Sequence, residues 1–208
     1  MIFLTSSVSS VADHLYKNFL ADKGFKSVLF LDTASEPEIG LESGDDKWLQ
    51  DDLKSLQDQG YRVDRYTITG KTREEFEKKL DEYDILYMCG GNTAYLLNKL
   101  RRTNTYDLII EKVKAGKPYI GTSAGSIIAG PKVPEYFSEE EPELEDRTAF
   151  NFVNFTMMPH WGDNYFEERD IAKRLKIAYQ PHESPILILT DRQYVKVLEG
   201  GAFKIITT

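Results

Sequence analysis

Lys117-Pro118-Tyr119-Ile120-Gly121-Thr122-Ser123-Ala124-Gly125-Ser126-Ile127-Ile128-Ala129 decides how this chain is read. The first four residues enter a short apolar strand, and Ser126 to Ala129 continue as a short apolar helix that stops at Gly130-Pro131. Between them lies G-x-S-x-G, the spelling of a nucleophile elbow, in which a tight strand-to-helix turn pushes one side chain into solvent. Gly121 and Gly125 let neighbouring backbone come close to that turn. The N–H groups that open the helix lie where negative charge would develop on a group attacked by Ser123.

Working outward, apolar runs alternate with helical patterns. Strands are expected at Ile2 to Thr5, Ser27 to Leu31, Tyr61 to Ile68, Asp84 to Met88 and Phe152 to Met158. Helices are expected from Val11 to Lys23, Asp45 to Gln59, Ala94 to Arg102, Tyr106 to Ala115 and Tyr165 to Tyr179. Thr72-Arg73-Glu74-Glu75 has the spelling of a capping box. After Ile186 to Leu189, the runs Tyr194 to Leu198 and Phe203 to Ile206 flank Gly200-Gly201, which predicts a C-terminal β-hairpin. The alternation predicts an α/β fold with a mostly parallel sheet and helices on both faces, and the length suits one domain over 1–208.

In such folds, sites form beyond the carboxyl ends of the strands. Ser123, Gly90-Gly91 and His160 each follow a predicted strand, so they are expected on one edge of the sheet. A serine hydroxyl needs a base to take its proton. Of the three histidines, His14 lies inside a predicted helix and His182 in a loop, which leaves His160. A third group should orient the imidazole, and Glu135, Glu139 and Asp163 all qualify. Glu135 and Glu139 belong to an acid-crowded irregular stretch over 132–149. Gly90-Gly91-Asn92 can supply oxyanion-hole N–H groups together with Ala124, or form an ordinary strand-to-helix turn. Cys89 reads as a small buried residue within its strand.

Composition narrows the partners. With 34 acidic against 26 basic residues, the net charge is −8, and no basic stretch interleaved with aromatics is present. Nucleic acid is therefore not expected as a partner. One cysteine excludes an intrachain disulfide and suits a reducing compartment. No apolar run reaches membrane-spanning length, and Met1-Ile2-Phe3-Leu4-Thr5 does not read as a signal peptide, so a cytoplasmic location away from membranes is expected. Three dispersed histidines and one cysteine imply no metal, and nothing calls for another cofactor. The oligomeric state is not written in the sequence.

Taken together, Cys89-Gly90-Gly91-Asn92-Thr93, Gly121 to Gly125 and Met158-Pro159-His160 resemble the peptidase E family of serine peptidases, in order and spacing across nearly the whole chain. The resemblance implies a fold like that of class I glutamine amidotransferases, whose elbow holds cysteine. It implies Ser123 as nucleophile, His160 as general base, and Gly91 with Ala124 as oxyanion-hole donors. It also implies a short peptide as substrate, since known members remove N-terminal aspartate from dipeptides and cyanophycin-cleaving enzymes are related. The family's acid lies on the loop between serine and histidine. Counted without gaps that position falls on Ser138, one residue from Glu139 and further from Glu135. Two other readings stand beside the dipeptidase: a hydrolase of another amide or isopeptide, and a ligand-binding or regulatory relative without turnover.

Overall fold

The computed structural model describes residues 1–39, 46–135, 141, 144–163, 172–179 and 184–208. Seven strands form one sheet. They are β1 (Ile2–Thr5), β2 (Ser27–Leu31), β3 (Arg62–Tyr66), β4 (Ile85–Met88), β5 (Tyr119–Thr122), β8 (Gln193–Val197) and β9 (Phe203–Thr207). Their order is β3-β2-β4-β5-β1-β8-β9. The five strands from β3 to β1 are parallel, and β8 and β9 add on antiparallel. The remaining pair, β6 (Thr156–Met158) and β7 (Ile186–Ile188), forms a separate parallel ribbon. The α/β class, the parallel centre and the C-terminal hairpin are as the sequence predicts. Leu198 N–H closes the hairpin onto Ala202 O, with Gly200 and Gly201 both at positive φ.

Parallel strands must be covered on both faces. β2, β4 and β5 are buried along their whole length. Their cover comes from amphipathic helices: α2 (Lys47–Gln57), α3 (Arg73–Asp81), α4 (Thr93–Arg102) and α5 (Tyr106–Lys114). α3 starts where predicted, because Thr72 accepts from Glu75 N–H while the Glu75 side chain accepts from Thr72 N–H. α4 starts after β4, with the Asn92 side chain taking Tyr95 N–H at 2.8 Å.

Three elements differ from expectation. Only Ala12–Leu15 (α1) of the first helix is α-helical, and Tyr16–Leu20 widens into a π-helical turn. The strand expected from Phe152 narrows to Thr156–Met158. Phe152 and Val153 instead turn their N–H groups onto Ala129 O, and the Phe152 ring packs between Phe150 and Tyr119. Of the helix expected from Tyr165 to Tyr179, residues 172–178 are helical and 164–171 lie outside the described residues.

The elbow helix, α6 (Ala124–Ile127), lies almost on the backbone of the sheet. A Cβ at Gly125 would stand 2.2 Å from Met88 O, and one at Gly121 would stand 2.5 Å from Gly125 O. Gly121→Ala should therefore lower stability by about 3 kcal/mol, the upper part of the range for overpacking. That corresponds to a melting point lower by roughly 6–12 °C for a chain of this size. Gly24→Ala, at φ +73° with open space around it, should cost only about 1 kcal/mol of left-handed strain. Thermal melts of the two variants distinguish crowding at the elbow from the loss of a glycine as such.

Candidate active site

Ser123 follows β5 in a conformation that L-residues avoid, φ 48° and ψ −108°. Holding such a residue costs about 1–3 kcal/mol, and the neighbouring bonds supply the constraint. Ser123 N–H donates to Thr5 O at 3.1 Å, and Ser126 Oγ donates to the same carbonyl at 2.8 Å. Gly125 N–H reaches Cys89 O at 3.1 Å, and the Tyr119 hydroxyl donates to Gly125 O. Two neighbouring strands, β1 and β4, thus grip the turn from either side.

The Gly90-Gly91 turn lies against the serine. A Cβ on Gly90 would meet Ser123 Cβ at 3.3 Å and Trp48 Cζ3 at 3.4 Å. Gly91 sits at φ +120°, where a Cβ would be 2.2 Å from Ala34 O, so only glycine fits. Among the described residues, no acceptor takes the backbone N–H of Gly90, Gly91 or Ala124. α6 has a single turn, so any anion here is held by individual N–H bonds rather than by a long helix dipole.

His160 follows β6, which is not part of the seven-stranded sheet, so it does not share the sheet edge in the way the sequence predicts. It reaches that edge by a hydrogen bond. His160 N–H donates to Ser6 Oγ at 2.7 Å, and Ser6 follows β1. β1 and β5 pair with Thr5 opposite Thr122, so Ser6 and Ser123 leave adjacent strands at the same level. Adjacent strands lie about 4.8 Å apart, which sets the scale of the site.

The carboxylate on His160 is Asp191. Its Oδ1 accepts from His160 Nδ1 at 2.7 Å and from the Ser6 hydroxyl at 2.6 Å. Burial alone would raise the Asp191 carboxyl. The bond and charge of His160, the Ser6 hydroxyl and nearby Arg174 outweigh it and hold the group below the usual carboxylate range. An ionised carboxylate only accepts, so His160 Nδ1 is the donor in this bond, and in a neutral imidazole the acceptor nitrogen is then Nε2.

Asp191 corrects the sequence reading of the third group. Glu135 is 88% exposed and pairs with Arg147 at 3.5 Å. Glu139 lies outside the described residues. Asp163 directs its N–H to His160 O, and the imidazole nitrogen that needs an orienter is already on Asp191. Asp191 follows β7 as His160 follows β6, and those strands pair with Met158 opposite Ile188. The strand-end rule that selects His160 therefore also selects Asp191 once Ile186 to Leu189 is read as a strand.

A fully buried acid lies close by. Asp52 is 3% exposed although it sits on the core face of α2, between Leu49 and Leu56. Its oxygens take Tyr87 OH at 2.7 Å and Ser9 N–H at 3.2 Å. Among the described residues, no group of three or more His, Cys, Asp or Glu side chains is gathered to hold a metal ion. No helix there is long and apolar enough to cross a membrane.

The model of peptidase family S51 matches residues 2–206. The chain belongs to that family. An uncharacterized peptidase of Pasteurella multocida is 36% identical over 211 residues, spanning 96% of this chain and 97% of its own. A peptidase E of a Nostoc species is 28% identical over 213 residues, spanning 99% of this chain and 81% of its own. Among solved structures, a protein from Listeria monocytogenes described as a candidate peptidase E superposes with a TM-score of 0.83 at 29% identity, covering 100% of this chain and 98% of that one. The family places the chain among peptidases, which are hydrolases.

Asp52 gives the site a pH signature. Burial pushes its carboxyl up to about 6, against the hydrogen bonds of Tyr87 and Ser9 and the attraction of His160. The folded state therefore binds a proton that the unfolded chain has released, and stability falls as pH rises from about 4 to about 6. The full effect is about 3 kcal/mol at most. Asp52→Asn keeps an acceptor and cannot ionise, so denaturant midpoints measured across that window should flatten relative to wild type. An unchanged slope would mean that Asp52 titrates like an ordinary surface acid.

Proposed function

We propose that this chain is a serine peptidase that cleaves short peptides through an acyl-enzyme on Ser123. One observation carries the reading: an imidazole held through Nδ1 on the Asp191 carboxylate is tied by its backbone N–H to Ser6, which leaves the strand next to the one that ends in the elbow serine. In this mechanism His160 Nε2 takes the Ser123 proton as Oγ attacks the peptide carbonyl. The carbonyl oxygen becomes negative and is received by the N–H groups of Gly91 and Ala124. The C–N bond breaks as His160 returns the proton to the leaving amine, and a water activated by His160 releases the acid product. Asp191 stays ionised and stabilises the imidazolium between these transfers.

Relatives carry the name peptidase E. Arg174 donates to Pro159 O at 2.7 Å and, more weakly, to His160 O at 3.4 Å, which brings a guanidinium to the histidine turn. A cation there suits an acidic side chain or a terminal carboxylate, and short peptides with N-terminal aspartate are the first substrates to try. A relative without turnover is expected to lack an acid on the histidine, and Asp191 on His160 Nδ1 supports the enzyme reading over that one.

Fluorophosphonate labelling and turnover of a short-peptide library test the reading together. Ser123→Ala should abolish both, and His160→Ala should slow turnover about a thousandfold or more. Asp191→Asn, which disturbs the tautomer, should cost on the order of 10³–10⁴ in kcat, with Glu135→Gln near wild type. Comparable losses in the last two variants would return the orienting role to the loop.

A further inference from the structure

We propose that Ser6 is a positioning residue for this hydrolysis, its one hydroxyl joining the backbone of His160 and the carboxylate of Asp191 into a single rigid unit. The inference rests on the serine peptidase reading and adds a member to its machinery.

The hydrogen bonds assign each atom a role. Ser6 Oγ–H donates to Asp191 Oδ1 at 2.6 Å, and the same oxygen accepts His160 N–H at 2.7 Å. Asp191 Oδ1 is also the atom that takes His160 Nδ1–H. Three bonds thus close a ring through Ser6, His160 and Asp191. Ser6 is 0% exposed, so water does not compete for these bonds. Its position is set by the sheet, since the preceding Thr5 is paired with Thr122 on one side and Tyr194 on the other.

The two residues it joins both need an anchor. His160 sits at φ 59°, an unfavourable backbone angle for a side chain, and comes from the two-stranded ribbon rather than the main sheet. Asp191 stands in the turn closed by Gln193 N–H on Thr190 O. Without the Ser6 hydroxyl, the carboxylate keeps His160 Nδ1 but loses a second hold on the same oxygen, and the His160 backbone loses its bond to Ser6 beside β1. Misplacement at this scale acts on the transition state more than on binding.

The neighbouring Ser7 provides a control. Its hydroxyl engages only those of Ser9 and Ser10 among the described residues. The charged groups facing Asp191 are His160 and Arg174, and Ser6 contributes a neutral donor that favours the ionised carboxylate.

The test compares Ser6→Ala, Ser6→Cys and Ser7→Ala in steady-state peptide hydrolysis and in carbon-13 NMR titration of the Asp191 carboxyl. Ser6→Cys is nearly isosteric with a weak donor, so it reports even where Ser6→Ala disturbs the turn. For both Ser6 variants kcat should fall about 10- to 100-fold with KM within about twofold, as for outer partners of ligating groups. The Asp191 carboxyl should titrate at higher pH in both. Ser7→Ala should match wild type. An unmoved carboxyl titration, a wild-type kcat or a loss confined to KM would overturn the proposal. If wild-type Ser123 fails to label with fluorophosphonate, the peptidase reading fails instead, and the carboxyl titration still reports the Ser6 bond.

Discussion

The site depends on how closely a single turn of helix can lie on the sheet. α6 reaches the backbone of β4 because Gly125 has no Cβ to strike Met88 O. That closeness lets Gly125 N–H bond Cys89 O, which aligns the end of β4 with the end of β5. The Gly90-Gly91 turn is then beside Ser123 rather than a side chain's width away. A methyl group at Gly121, Gly125 or Gly91 pushes on backbone, which has nowhere to go, so the elbow tolerates little drift.

Around that contact, the buried side chains of Thr5, Ser126, Asp52 and Tyr87 each have a partner. Thr5 shows the pattern: its hydroxyl bonds Gly121 O and Thr122 Oγ1, and its carbonyl holds two donors of the elbow. Asp52 and Tyr87 form another such pair beneath the edge. Buried networks of this kind specify one arrangement because every alternative leaves a donor or acceptor unpaired.

Much of this was legible from the residues. The β-α alternation fixed the class, since parallel strands covered on both faces read as continuous apolar runs, as Ser27 to Leu31 does. Gly-x-Ser-x-Gly and the Gly90-Gly91 turn are legible because Gly121, Gly125 and Gly91 each solve a local steric problem that only glycine solves. Counting along the loop points to Glu139, whereas the strand-end rule points to Asp191, the carboxylate that His160 Nδ1 meets. The 132–149 stretch is rich in carboxylates, but Glu135 faces solvent, where screening weakens any hold on an imidazole. Asp191 follows a strand of three residues whose pairing with β6 is not written in the sequence. Register between distant segments is a tertiary property, and it decided which carboxylate met His160. Asp52 left a fainter trace, a charge at a core position of an amphipathic helix.

The strand order also implies a sequence of assembly. β1 to β5 are contiguous in the chain and pair among themselves, so the elbow can form once Thr122 to Ile127 have been made. His160 and Asp191 arrive later, from a ribbon that docks only after β7 exists. During synthesis, which proceeds at about 5–20 residues per second, several seconds separate the elbow from the arrival of His160 and Asp191. A nascent chain in that interval has the Ser123 turn without the hydrogen-bonded ring of Ser6, His160 and Asp191, which closes only when the fold is complete.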